Sequence, residues 1–263
     1  MGNYLITGAG GGMGRALCRL LTEEGHGVWG IDRAPAENPA GWRYIRADVT
    51  DAGAVQEAFE LVSSEAGTLD GIVHTAGIYD LNSLVEMPEQ DFIRDFEVNL
   101  VGVFRVNRMF LPLLEKGRIV IVTSELAPLH PLPFTGVYAV TKAALDKYAA
   151  ALRMELQLLG HYVIVVRPGA VNTQLLDVST DKLRRFCAET KLYGVNAARF
   201  RRIVERVEAR AVPPQKIAER IGRILSAGKP KLVYYVNRNP LLMLLNALPA
   251  RAQLRIVKTI LGN

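Results

Sequence analysis

The sequence predicts a single α/β domain built on a doubly wound, mostly parallel seven-stranded sheet with helices on both faces. Three observations predict it. Apolar strand-like runs alternate with helix-like stretches along most of the 263 residues. Several runs are continuously apolar, Ile119-Val120-Ile121-Val122 and Val163-Ile164-Val165-Val166 among them, as strands buried on both faces require. The helical stretches carry start and stop residues, with Pro88 and Pro214 at first-turn positions and Gly160 and Gly228 as stops.

Taken in order, Tyr4–Thr7 opens the sheet and a glycine-rich turn leads into a helix over Met13–Glu24. Val28–Asp32, Tyr44–Ala47 and Gly71–Thr75 read as the next three strands. A helix over Pro88–Leu114 precedes the strand Arg118–Thr123, and a helix over Val137–Leu159 precedes Tyr162–Arg167. A helix over Pro214–Ala227 precedes the last strand, Leu232–Val236. Repeated strand–helix–strand units imply right-handed crossovers. No repeat, low-complexity segment or linker interrupts them, so residues 1–263 read as one domain. The stretch 172–210 breaks the rhythm, being long, charged and placed between a strand and the last helix–strand unit. Such excursions are more often functional lids than plain connections; the alternative is a helical insertion on the surface.

With 49% hydrophobic and 22% charged residues, the composition excludes disordered, collagen-like and coiled-coil chains. The longest nearly apolar run, Leu241–Leu248, is far short of the ~20 residues of a membrane-spanning helix. Cys18 and Cys187 form neither a disulfide framework nor a metal-ligand spacing, so no metal and a reducing, cytoplasmic compartment are expected. A strand at Leu5-Ile6 with a phosphate-loop pattern starting at Thr7 leaves no room for a signal peptide. Ile6 also stands where a myristoylation signal needs Ser or Thr. The net charge of +6 is uneven: Arg220 to Asn263 holds eight Lys/Arg and no Asp or Glu, and the remainder sums to −2. A basic tail on a slightly acidic body argues against nucleic acid, which needs a basic stripe interleaved with stacking aromatics.

The turn Thr7-Gly8-Ala9-Gly10-Gly11-Gly12-Met13-Gly14 follows the first strand and opens a helix. Glycines there let a pyrophosphate approach amide N–H groups at a helix N-terminus. The strict G-x-G-x-x-G spacing is absent, and G-x-x-x-G-x-G through Gly8, Gly12 and Gly14 fits instead. Asp32 closes the second strand, where a carboxylate accepts hydrogen bonds from an adenosine ribose and repels a 2′-phosphate. That favours NAD, while Arg33 beside it keeps NADP open. Asp48-Val49, after the third strand, is placed to border an adenine ring.

Tyr138 and Lys142 lie one helical turn apart and project from one face. A phenol titrates near ~10, and a fixed ammonium beside it favours the phenolate. The pair makes a general acid/base for an alcohol or carbonyl oxygen. Ser124, at the end of its strand, and Asn99, inside the helix before it, join the pair.

Together these residues resemble the short-chain dehydrogenase/reductase family over nearly the whole chain, with its Rossmann-like fold. The resemblance rests on Thr7–Gly14, Asp48, Ala76-Gly77, Asn99, Ser124, Tyr138-x-x-x-Lys142 and Arg167-Pro168-Gly169-x-Val171-x-Thr173, in family order. It implies that Tyr138 exchanges a proton with the substrate oxygen while hydride passes between substrate carbon and nicotinamide. Lys142 would bind the nicotinamide ribose and lower the Tyr138 pKa, Ser124 would bind the substrate oxygen, and Asn99 would hold a relay water. Gly8, Gly12, Met13 and Gly14 would cradle the dinucleotide, and Asp32, Arg33, Asp48, Val49, Ala76 and Gly77 would border it. Pro168, Gly169, Val171 and Thr173 would flank the nicotinamide. The cofactor does the redox chemistry and the protein orients and polarises. Two features depart from the family pattern. His74-Thr75-Ala76-Gly77 replaces its Asn-Asn-Ala-Gly, with Thr75 keeping a hydroxyl and His74 reading as a buried, satisfied side chain. The Ser124-to-Tyr138 interval is one residue longer than the family pattern; a strand displaced by one would put Glu125 in the place of Ser124, and the Ile119–Thr123 run favours Ser124.

Ile78–Met87, Glu125–Val137 and the excursion would border the substrate, with Tyr79, Leu81, Leu126, Leu129, Leu132, Phe134, Leu175, Leu176, Phe186 and Tyr193 making an apolar pocket. A hydrophobic secondary alcohol or ketone, steroid- or bile-acid-like, is the expected substrate, with Arg184, Arg185, Lys191 and Arg199 available to a carboxylate. From Pro249 a helix would gather Ala250, Leu254, Val257 and Leu261 on one face and Arg251, Arg255 and Lys258 beside it. It would lie on an anionic membrane surface, on a partner subunit or on its own domain. By analogy with the family, Val137–Leu159 would form a homodimer or homotetramer. A dinucleotide-binding regulator without turnover is the competing reading, and it has no use for the acid/base pair.

Overall fold

The computed structural model describes residues 1–35 and 41–262, so Asn263, the end of the expected tail, lies outside them. The first half runs β1 (Asn3–Thr7), α1 (Gly12–Glu23), β2 (Gly27–Asp32), β3 (Arg43–Arg46), α2 (Ala52–Ala66), β4 (Leu69–His74), α3 (Glu89–Phe96) and α4 (Gly102–Phe110). The second runs β5 (Leu114–Val122), α5 (Gly136–Leu156), β6 (Tyr162–Pro168), α6 (Gln174–Glu189), α7 (Gly194–Glu208), α8 (Pro214–Ser226), β7 (Val233–Val236), α9 (Pro240–Asn246) and α10 (Ala250–Leu261).

The seven strands make one sheet in the order β3-β2-β1-β4-β5-β6-β7, every neighbouring pair parallel. The chain winds outward from β1 to β3, then returns to β4 and winds the other way. In such sheets ligands bind beyond the carboxyl ends of the strands at the point of reversal, here between β1 and β4. The two-residue period of the strands sorts their side chains. Leu5, Ile31, Ile72, Ile119, Ile121 and Val163 meet α2, α4 and α5 through Val55, Phe110 and Leu145. Ile6, Val28, Val73, Val120, Val122 and Ile164 meet α1 and α8 through Leu17, Leu21, Ile217 and Ile221. Burial of each large aliphatic side chain contributes about 1.5–3 kcal/mol, which is why the central strands carry apolar residues without alternation.

Four local readings change. The helix expected over Pro88–Leu114 is interrupted by a π turn at Glu97–Val101 and closes in a 3₁₀ turn at Leu111–Leu113 containing Pro112. β5 then begins at Leu114, which pairs with Leu69 before a register shift, ahead of the expected Arg118. α2, absent from the named sequence patterns, is capped by the Asp51 carboxylate, which accepts from the Gly53 and Ala54 N–H groups. The excursion holds two helices, α6 and α7, whose Leu183, Phe186, Phe200 and Val204 share a small core with Leu81, Phe134 and Leu261.

A fifth change concerns the C-terminal helix. Gln253, Val257 and Leu261 face inward, whereas Ala250 and Leu254 face solvent, Leu254 being 70% exposed. Two hydrogen bonds set this rotation: Gln253 Nε2 donates to the Leu248 carbonyl at 2.7 Å, and Asn196 Nδ2 on α7 donates to the Leu261 carbonyl at 2.6 Å.

Candidate active site

The glycine turn between β1 and α1 is packed too closely for side chains. Gly8 has φ +73°, and a Cβ there would fall 2.6 Å from the Ala76 nitrogen. A Cβ on Gly12 would fall 2.7 Å from Thr173 Cγ2, and one on Gly14 only 2.2 Å from the Gly8 carbonyl oxygen. No side chain caps the start of α1, so its amide groups are available to an anion. A groove of about 130 Å³ runs along this turn, bounded by Gly8, Gly12, Met13 and Gly14 on one side and by Asp32, Arg33, Asp48 and Val49 on the other. Ala76, Gly77 and Thr173 close its inner end. Asp32 is held by its neighbours: Oδ2 accepts from the Gly10 N–H and Oδ1 from the Ala34 N–H, both at 2.9 Å. The groove therefore presents bare backbone at one wall and a fixed carboxylate near one end, the features that a dinucleotide's pyrophosphate and ribose require.

Beyond it the carboxyl ends of β4, β5 and β6 meet α5. Ser124 and Tyr138 line the same cavity; the Ser124 hydroxyl opposes the burial-driven rise of the phenol's pKa, whereas the Glu125 charge adds to it. Ser124 Oγ accepts from the Leu126 N–H at 3.1 Å, which fixes its rotamer. Lys142, buried beneath, donates from Nζ to the Val122 carbonyl at 3.3 Å. Asn99 sits in the π turn and is wholly buried. Its Nδ2 donates to the Ile78 carbonyl and to Thr141 Oγ1, both at 3.0 Å, while its Oδ1 accepts from the Ile78 N–H at 2.9 Å. It thereby clamps the turn after β4 to α5. A π turn of this kind is frequent at functional sites.

The electrostatics differ from the sequence expectation. Burial pushes the Tyr138 phenol up to about 12. Burial also brings Lys142 down to about 8. The ammonium therefore does not draw the phenol toward neutrality in this arrangement, because it faces the ring and a carbonyl and is itself desolvated. At neutral pH Tyr138 is a proton donor.

Thr75 keeps the hydroxyl contact the sequence suggests, whereas His74 is buried as expected but only half satisfied, its Nδ1 having no hydrogen-bond partner among the described residues. The Thr75 hydroxyl donates to the Thr7 carbonyl at 2.7 Å, and His74 Nε2 pairs with Asn107 Oδ1 at 2.8 Å. Full burial drives His74 down to about 4, so it is neutral.

Tyr138 opens onto a cavity of about 520 Å³. Pro168, Gly169, Val171 and Thr173 line its inner end, and Leu126, Leu132, Leu175 and Leu176 its walls. Phe134 is not among the lining side chains; it stacks against Phe186, Tyr193 and Phe200 in the core behind the wall. Its φ of +64° turns it away from the cavity, and its carbonyl accepts from the Asn82 N–H. Leu81 and Phe186 belong to the same core. None of Arg184, Arg185, Lys191 and Arg199 reaches the cavity lining. The sequence reading missed the outer wall, made by Ile203 and Val207 of α7 and by Leu241, Leu244, Leu245, Ile256 and Ile260 of α9 and α10. The Leu241–Leu248 run was the available signal: apolar, yet too short to be anything but a wall or a surface.

The family model for short chain dehydrogenases matches residues 3–184, and the chain belongs to that family of oxidoreductases. It is 29% identical to the 3-ketodihydrosphingosine reductase of Bacteroides thetaiotaomicron, over 86% of this chain and 84% of that protein. It is 28% identical to the 2,3-dihydro-2,3-dihydroxybenzoate dehydrogenase of Escherichia coli, over 72% and 80% respectively. The fold matches a short-chain dehydrogenase from Streptomyces avermitilis with a TM-score of 0.76 at 23% identity, covering 98% of this chain and 95% of that one. Family members bind nicotinamide dinucleotides in general. Among the described residues no helix is long and apolar enough to cross a membrane.

Proposed function

We propose that the protein is a nicotinamide-dependent reductase converting a ketone to a secondary alcohol on a long apolar substrate, with NAD(H) preferred over NADP(H). The hydroxyls of Ser124 and Tyr138, both lining one largely apolar cavity, carry this reading. A bound dinucleotide would supply hydride to the carbonyl carbon. Tyr138 would donate its proton to the carbonyl oxygen, which Ser124 orients. Lys142 would bind the nicotinamide ribose, and Asn99, by clamping the turn at Ile78, would keep a relay path beneath α5 open. Gly8, Gly12, Met13 and Gly14 would hold the pyrophosphate, Asp32 and Arg33 the adenosine ribose, and Asp48 and Val49 the adenine. Ala76, Gly77, Pro168, Gly169, Val171 and Thr173 would surround the nicotinamide. The fixed carboxylate of Asp32 supports NAD, because a 2′-phosphate would meet it.

The substrate reading leans on the leucine-rich outer wall and on the likeness to a 3-ketodihydrosphingosine reductase; a steroid ketone is the other arm of the test. Leu126, Leu175 and Leu176 would contact the chain, and α6 and α7 would act as the lid. Exposed Phe104 on α4 and Val140 on α5 support a homodimer through these helices. The same apolar mouth, beside a cationic tail, supports contact with a membrane surface. A regulator without turnover is disfavoured, since it would gain nothing from gathering Ser124, Tyr138 and Lys142 on one apolar cavity.

The test is a panel of long-chain and steroid ketones with NADH and NADPH side by side. Turnover should fall by about 10²- to 10⁴-fold in Tyr138→Phe while dinucleotide binding survives. A Tyr138→Phe enzyme of full activity would remove that residue from the chemistry.

A further inference from the structure

The cavity wall is apolar along its length, yet a carboxylate stands beside the reacting hydroxyls. Glu125 follows Ser124 directly, lines the cavity and is 8% exposed. Its N–H donates to the Pro168 carbonyl at 2.8 Å, which fixes its backbone between β5 and β6. Its Oε2 accepts from the Asn239 N–H at 2.7 Å, and Oε1 lies 2.9 Å from where a Cβ on Gly169 would fall. Its charge reaches both phenols in the site, Tyr138 and Tyr79, and raises each.

Cations are scarce around it. Among the described residues lining the cavity, Lys142 is the one Lys or Arg, and it is turned toward the Val122 carbonyl. Arg238 acts on Glu125 by charge but lies outside the lining. A second carboxylate, Glu208, lines the cavity and accepts from Thr180 Oγ1 at 2.9 Å. A carboxylate placed in an apolar wall is costly unless it is paired. Bracing the Asn239 N–H would not require one, because a neutral amide oxygen accepts that bond as well. Two acidic side chains also oppose a substrate carboxylate.

We infer that Glu125 is a subsite for a protonated amine that the substrate carries close to its reacting carbon, so that the preferred substrates are long-chain amino ketones. This rests on the redox reading of the site. An ammonium there would complete an ion pair shielded from water, worth at least about tenfold in kcat/KM over the same chain without the amine.

The experiment compares a long-chain 2-amino-3-ketone with the 3-ketone of equal length lacking the amine, in the wild-type protein and in Glu125→Gln, which keeps an acceptor for Asn239. Wild type should prefer the amino ketone, and the ratio should collapse toward one in Glu125→Gln. The preference should also fade as pH rises past the substrate amine's own pKa. Equal kcat/KM for the two ketones in wild type overturns the assignment without any variant. A Glu125→Gln enzyme that slows both in proportion and keeps the ratio overturns it in favour of a brace. Failure to turn over either ketone sinks the redox reading and this subsite with it, whereas equal turnover sinks the subsite alone.

Discussion

The ammonium of Lys142 stands 5.7 Å from the centroid of the Tyr138 ring, beneath its face. A cation over a π face is attracted by the ring quadrupole, but that attraction leaves the phenolic O–H bond largely unassisted. The two groups are thus arranged as a proton donor above a desolvated amine. The position suits a ribose hydroxyl arriving between them, which would restore polar partners to Lys142.

Replacing Lys142 should separate stability from activity. Its depressed pKa, about 8 against an ordinary 10.5, means that the fold tolerates the charge at a cost. The sign follows: the unfolded chain binds more protons between the two values, so the contribution is unfavourable below about 8 and is relieved as pH rises toward 10.5. Lys142→Met should stabilise the ligand-free protein at pH 7 by about 2–3 kcal/mol and weaken dinucleotide binding. Thermal melts at pH 7 and 10 check this; a variant that melts lower at pH 7 contradicts the buried charge.

Asp32 sets the expected cofactor choice. With both oxygens already engaged by the Gly10 and Ala34 N–H groups, its carboxylate cannot swing aside for a phosphate. Asp32→Ser should therefore shift the NADH/NADPH ratio of kcat/KM toward NADPH by about one to two orders of magnitude, with Arg33 free to receive the phosphate. Wild-type preference for NADPH would reverse the reading of Asp32.

The strands, the glycine turn and the order Asn99, Ser124, Tyr138, Lys142 were legible in the sequence because each follows from local rules. Period-two burial, bare backbone at a helix start and one-turn spacing are all short-range. What was not legible depends on distant partners. The π turn that seats Asn99 keeps an ordinary helical composition. Phe134 combines a positive φ with ring contacts to the distant Phe186, Tyr193 and Phe200. The inward face of α10 was misread because Gln253, a polar residue, is held inside by one hydrogen bond to Leu248. The Tyr138 pKa depends on how dry the site is, which spacing does not reveal.

Asp95 supplies a pH dependence away from the chemistry. It lies wholly buried on α3, and burial, then the Asp80 charge, pushes its carboxyl up to about 7, with Lys182 opposing and Asp91 adding. Lys182 of α6 pairs with Asp80 at 2.5 Å. A raised carboxyl favours the protonated fold, so its contribution is complete below the unfolded value of 3.8 and is lost as pH climbs through about 7. Stability should fall between pH 4 and 8, and Asp95→Asn should flatten that slope and raise the melting temperature at pH 8. An unchanged slope in the variant would place the effect elsewhere.

The cavity mouth and the tail predict how the protein meets lipid. Leu241 and Leu244 line the cavity yet are 67% and 65% exposed, so one apolar surface continues from the wall to the outside. Arg251, Arg255 and Lys258 are exposed on α10, in a stretch from Arg220 onward that has no acidic residue. Each cation near an anionic bilayer is worth ~1 kcal/mol, so reversing three charges should cost a partition coefficient at least about a hundredfold. Sedimentation with phosphatidylserine/phosphatidylcholine vesicles should recover the wild type at low salt, less at high salt, and little of Arg251→Glu/Arg255→Glu/Lys258→Glu. Leu241→Ser/Leu244→Ser should weaken binding without changing its salt dependence, because it removes buried area and not charge. If the wild type stays in the supernatant and instead elutes as a larger oligomer that Leu241→Ser/Leu244→Ser breaks, the mouth is covered by a second copy and substrate must reach it from solution.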